Sequence, residues 1–168
     1  MNAPFAIEKL ANAHDRAALF CGVAALDRYL KEQASQDEKR HIATCFVALD
    51  AAQAIAGYYT LAAASIPLSD LPKPVAKRLP RYPVVPAARL GRLAVSLAHR
   101  GKGLGGALVF DALIRAARSE VAAHAMIVDA KDGAAKAFYQ HHGFLPFEHL
   151  PLTLFLPLAT VRPMIAPK

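Results

Sequence analysis

The stretch His99-Arg100-Gly101-Lys102-Gly103-Leu104-Gly105-Gly106 joins two apolar segments of different period, and it constrains the fold more than any other feature of the chain. Before it, RLGRLAVS (89–96) reads as a strand. After it, Leu104 to Ser119 reads as a long apolar helix, with Asp111, Arg115 and Arg118 recurring at helical spacing on one polar stripe. A glycine-rich turn between a strand and such a helix curls the backbone so that N–H groups face inward. It also aims the positive end of the helix at a bound anion. Arg100 and Lys102 add full charges beside those dipoles. The segment therefore reads as a phosphate cradle in a chain that mixes strands and helices.

Two familiar phosphate motifs fail here. Gly101, Gly103 and Gly106 satisfy G-x-G-x-x-G, and Asp129 ends the following strand where a ribose-binding acid would stand. However, the residues Ser96 to Arg100 separate Val95 from Gly101, whereas the dinucleotide turn leaves its strand at once. The remaining chain also lacks the elements of a doubly wound sheet. A magnesium-dependent phosphate loop fails as well, because Gly103 follows Lys102 where Ser or Thr would hold the ion.

Around this turn FAIEKL (5–10) predicts a strand, and HDRAALF (14–20) and VAALDRYLKEQASQDEKR (23–40) predict two helices. In the second, Leu26, Leu30 and Ala34 form the buried stripe, with Asp27, Lys31, Glu32 and Lys39 outside. HIATCFVALD (41–50) and AIAGYYTLAAASI (54–66) predict an antiparallel hairpin. The six prolines of PLSDLPKPVAKRLPRYPVVP (67–86) exclude regular pairing and leave a functional loop, with room for one short helix in DLPKPVAKRL. AMIVDA (125–130) predicts a buried strand, and GAAKAFYQHHGF (133–144) a helix closed by Gly143. FLPFEHL (144–150) and LTLFLPL (152–158) predict the closing strands. The fold class expected is α/β (α+β): one domain over 1–168, with a mixed, mostly antiparallel central sheet flanked by helices.

Charge narrows the class of ligand. Between Asp70 and Asp111 there is no acidic residue, while Lys73, Lys77, Arg78, Arg81, Arg89, Arg92, Arg100 and Lys102 are all basic. The other basic residues are nearly balanced by the 13 acidic ones, so the net charge of +7 resides in this segment. Such a stretch attracts phosphates of a cofactor, a nucleic acid or both. Apolar runs are too interrupted for a membrane span, MNAPFAIEKL has no secretory pattern, and Cys21 and Cys45 read as buried thiols, which together point to the cytoplasm. His141-His142 does not make a metal pair, and no metal is expected.

Arg100-x-x-Gly103-x-Gly105, with Ala135-x-x-Phe138-Tyr139-x-x-x-Gly143-Phe144 downstream, resembles the two signatures of the GNAT superfamily of N-acetyltransferases. LDRYLKEQASQD, GYYTLAAASI, KRLPRYPVVPAARLGRLAV, GKGLG, VDAKD, FYQHHGF and LFLP are together similar to the GNAT toxins of bacterial toxin–antitoxin pairs, over nearly the whole chain. The resemblance implies transfer of acetyl from acetyl-CoA to the α-amino group of an aminoacyl-tRNA, which blocks translation. It also implies a ribbon-helix-helix antitoxin and a homodimer. The alternative within the same fold is a protein or small-molecule amine as acceptor.

Residue by residue, the resemblance makes Tyr139 the acid that protonates the departing thiolate, and Phe138 a core neighbour. Backbone groups of Leu93, Ala94 and Val95 would serve the oxyanion and the pantetheine. Arg100, Gly101, Lys102, Gly103, Leu104, Gly105 and Gly106 would cradle the pyrophosphate, and Asp132 and Ala135 would also lie against the cofactor. Asp132 stands where the superfamily often has Asn. Either Asp129 or Asp132 could instead cap the helix that starts at Gly133. The tRNA would lie on Lys77, Arg78, Arg81, Arg89 and Arg92, with Arg92 nearest the acceptor end, where its alternative is a structural ion pair. Tyr58, Tyr59 and Tyr82 are candidates for stacking or for core.

Overall fold

In the computed structural model, which describes residues 5–165, seven strands are hydrogen-bonded in the order β1-β2-β3-β4-β5-β7-β6. They are β1 (Ala6–Lys9), β2 (Thr44–Leu49), β3 (Ile55–Pro67), β4 (Val84–Val95), β5 (Ala125–Asp129), β6 (Leu145–Pro146) and β7 (Thr153–Pro157). The helices are α1 (Ala24–Glu32), α2 (Ala34–Lys39), α3 (Lys73–Ala76), α4 (Leu104–Arg118) and α5 (Gly133–His141). β1 with β2, β2 with β3, β5 with β7 and β6 with β7 all pair antiparallel, which gives the mostly antiparallel sheet expected.

The chain forms two compact units, residues up to 62 with 90–112, and 63–89 with the residues from 113 on. In the first, α1 lays Tyr29 and Leu30 on Cys45, Val47 and Tyr58. The predicted β2–β3 hairpin is present. The Asp50 carboxylate accepts the N–H groups of Ala52 and Ala54, and Gln53 takes φ +67 to close the turn. In the second unit, Ile66, Val85 and Ala87 pack with Ile127, Phe147 and Phe155.

Several expectations need correction. HDRAALF is not a helix: Asp15 accepts the N–H of Ala17, and His14 Nδ1 that of Ala11. Such local side-chain bonds compete with the helical ladder. The helix predicted over 23–40 breaks at Gln33, whose φ of −119° and ψ of −30° end α1 and open α2. Asp27 is buried instead of exposed. The proline-rich segment is partly regular, with β3 running to Pro67 and β4 starting at Val84. Pro86 has no N–H to give, but its carbonyl accepts that of His124. Of FLPFEHL only Leu145 and Pro146 form strand.

Candidate active site

The glycine turn belongs to the first unit. β4 delivers Leu93, Ala94 and Val95 to a short turn, Leu97–His99, after which Arg100 is extended. Gly101 and Gly103 follow with φ of +79° and +78°. A Cβ at either would meet nothing within 4 Å, so glycine is required there by conformation and not by space. α4 then starts at Leu104, buried at 2% exposure, and Gly103 accepts the N–H of Ala107. The N–H groups of Leu104, Gly105 and Gly106 lie in the first helical turn, where no preceding helical carbonyl can take them. Gly57 on β3 sets the depth of this arrangement: a Cβ on it would lie 2.7 Å from the carbonyl oxygen of Ala94 and 3.3 Å or less from Leu104 and Leu108.

The charged side chains of the turn are tied back to the protein. Lys102 Nζ lies 3.2 Å from His99 Nδ1, and His99 Nε2 lies 3.3 Å from Asp50. An ammonium only donates and a carboxylate only accepts, so in this arrangement Nδ1 faces a donor and Nε2 an acceptor. The Arg100 guanidinium donates to the carbonyl of Cys21 at 3.1 Å.

Among the described residues Arg92 has no carboxylate partner. Its guanidinium lies 3.7 Å from the centroid of the Tyr29 ring, and its N–H donates to Thr60 Oγ1. Tyr29 is fixed beneath it by stacking on Tyr58 and by donating to Asp37 at 2.7 Å. Bonds from Gln33 and Tyr29 hold the Asp37 carboxyl below its ordinary range. Tyr29 is a residue that sequence reasoning missed, since nothing in its spacing points to an arginine so far along the chain. Tyr58 and Tyr59 are core, and Tyr82 is 67% exposed.

Tyr139 belongs to the second unit. Asp132 is the N-cap of α5: its carboxylate accepts the Ala135 N–H at 2.8 Å, so two residues expected at the cofactor bond to each other. Asp129 is not a cap. It forms an ion pair with Arg89 and accepts from Thr153 Oγ1 at 2.8 Å. The buried Tyr139 ring stands edge-on to Phe138 and Phe144. Burial first, and then the negative charge of Asp129, push its hydroxyl up to about 12. Phe138 is half-buried and not fully core. Gly143 closes the helix with φ +95, as expected. Lys77, Arg78 and Arg81 are exposed, whereas Arg89 is half-buried against Asp129.

Taken separately, the first unit carries the first-turn N–H groups of α4 beside Arg100 and Lys102, and the second a buried phenol whose pKa is raised. Among the described residues no His, Cys, Asp and Glu are grouped to hold a metal, and no helix is long and apolar enough to cross a membrane.

Comparison with known proteins bears on the same residues. Residues 41–146, which include both the glycine turn and α5, match the family described as acetyltransferase (GNAT) domain. The chain is 31% identical over 164 residues to the probable toxin TacT of Sinorhizobium fredii, covering 92% of this chain and 91% of that one. It is 32% identical over 159 residues to the tRNA-acetylating toxin of Mycobacterium tuberculosis, covering 94% of each. In structure it is similar to AtaT complexed with acetyl-methionyl-tRNAfMet, with a TM-score of 0.87 and 27% identity over 96% of this chain and 99% of that one. It is also similar to AtaTR bound with AcCoA, with a TM-score of 0.82 and 26% identity over 97% and 99%. The signature turn, the tyrosine helix and this match over most of the chain together establish that the protein belongs to the GNAT acetyltransferase family.

Proposed function

We propose that this chain is an acetyl-CoA-dependent N-acetyltransferase toxin that acetylates the α-amino group of aminoacyl-tRNA and so blocks translation. The observation that carries this reading is the likeness, along nearly the full length of both chains, to a tRNA-acetylating toxin. The AtaT structures with acetyl-methionyl-tRNAfMet and with AcCoA support the same acceptor and donor. Residues 1–168 act as one acetyltransferase domain.

In the reaction the neutral amine adds to the thioester carbonyl. Backbone groups of Leu93, Ala94 and Val95 serve the resulting oxyanion and the pantetheine chain. The C–S bond then breaks, and Tyr139 gives its proton to the sulfur while the surplus amine proton passes to solvent, from which the phenolate is reprotonated. Arg100, Lys102 and the N–H groups of residues 101 and 103–106 hold the coenzyme phosphates. Asp132 and Ala135 shape the start of α5 beside it. The exposed Lys77, Arg78, Arg81 and Arg92 take the tRNA backbone, and Arg89 contributes mainly by holding Asp129. The protein works in the cytoplasm as a homodimer and is restrained by a ribbon-helix-helix antitoxin.

Purified protein incubated with acetyl-CoA and a pool of charged tRNAs should yield an N-acetylated aminoacyl ester by mass spectrometry. If free amines or peptides gain acetyl while no aminoacyl ester does, the acceptor is wrong. Size measurement of the purified protein, alone and co-expressed with any small ribbon-helix-helix protein encoded beside it, tests the dimer and the antitoxin.

A further inference from the structure

Asp27 is a carboxylate buried to 8% exposure that the reaction above does not use. A buried carboxylate needs donors. Its oxygens accept the N–H of Cys21 at 3.1 and 3.4 Å, and it lies in the first turn of α1, where the helix dipole favours negative charge. The peptide that joins Phe20 to Cys21 is gripped at both ends, because the Phe20 carbonyl accepts the N–H of Leu97 at 2.9 Å. The next carbonyl along, that of Cys21, lies one residue from this held peptide, and it is the one that takes Arg100. Gly22, at φ +89, brings the same turn so close that a Cβ on it would lie 3.5 Å from Leu97 and 3.8 Å from Arg100.

We propose that Asp27 is a positioning residue for the coenzyme: by anchoring the 19–23 turn, it fixes the carbonyl that aims the Arg100 guanidinium at the phosphates. The inference rests on Arg100 being a coenzyme contact. One of the five guanidinium donors is used on Cys21, which sets the plane of the group and leaves four for phosphate oxygens. Without the anchor Arg100 keeps its charge and loses its direction.

The test compares two acetyl donors, acetyl-CoA and S-acetylpantetheine, which lacks the nucleotide pyrophosphate. Asp27→Ala, and Asp27→Ser, whose hydroxyl is too short to reach Cys21, should raise KM for acetyl-CoA about tenfold at unchanged kcat. They should leave kcat/KM for S-acetylpantetheine as in the wild type. Asp27→Asn keeps an acceptor oxygen and should restore KM to within about twofold. Adding Arg100→Ala to Asp27→Ser should give a KM no higher than Arg100→Ala alone. Equal losses with both donors, or a double variant whose loss is the product of the two single losses, would show that Asp27 merely supports the fold. If Arg100→Ala by itself leaves KM for acetyl-CoA unchanged, Arg100 is not a coenzyme contact, and this proposal falls with that assignment.

Discussion

At the residue scale, Tyr139 joins the role that the family resemblance implies to an environment that only the fold supplies. The F-Y pair and the glycine after it single out the residue, but its shift to about 12 needs burial and the Asp129 carboxylate. Because the folded value lies above the ordinary one, the neutral phenol is favoured. The stability it confers is complete below pH about 10 and is lost as pH rises towards 12. A thiolate with an ordinary pKa of about 8.5 is a weaker base than this phenolate, so in the proposed reaction the transfer to sulfur is uphill and is completed by reprotonation of the phenolate from solvent. Tyr139→Phe should lower kcat by about 10²- to 10³-fold and leave coenzyme affinity, measured by calorimetry, unchanged. With an acceptor whose amino acid is linked by a stable amide, the rate should rise as the amine deprotonates and show no decline near pH about 10. A descending limb centred there would mean that the acid is another group or an unburied phenol.

At the scale of elements, the strand-turn-helix around Gly101 was legible because the apolar period changes from two to 3.6 across it. The breaks were not: Asp15 and His14 turn back on nearby backbone N–H groups and cancel one helix, while Gln33 divides another through its own backbone angles, its side chain bonding to Asp37. Asp132 shows how one residue admits two readings. Its bond to the Ala135 N–H is a cap, and Asn caps equally well, so the departure from the superfamily pattern preserves the element. Asp132→Ala should cost about 1 kcal/mol in urea unfolding, and Asp132→Asn close to nothing. A loss of acetyl-CoA affinity in Asp132→Asn at full stability would show that the carboxylate also serves the cofactor. Gly57→Ala, whose Cβ would sit 2.7 Å from the Ala94 carbonyl oxygen, should destabilise by about 2 kcal/mol or more. Unfolding with an unchanged midpoint would mean that β3 and β4 can part there without loss.

For the whole molecule the informative quantity is how many of the cations in the acid-free segment remain available to RNA. Their number and clustering are legible in the chain, but which are committed elsewhere is not. Arg89 is neutralised by Asp129, a partner forty residues away that only strand pairing brings near, and Arg100 is turned towards Cys21. Arg92 keeps its charge outward while its face rests on Tyr29, and Lys77, Arg78 and Arg81 are exposed. Binding of a charged tRNA through these four should fall with salt at a log–log slope of about −3, each phosphate contact supplying about −0.7 to −0.9. Arg78→Ala and Arg92→Ala should each make the slope shallower by about 1, whereas Arg89→Ala should hardly change it. None of the three should alter the affinity for acetyl-CoA measured on its own. Were Arg89→Ala to flatten the slope as much as Arg92→Ala, the Asp129 pair would have to open on RNA binding, and Tyr139 would then feel its carboxylate differently in the complex.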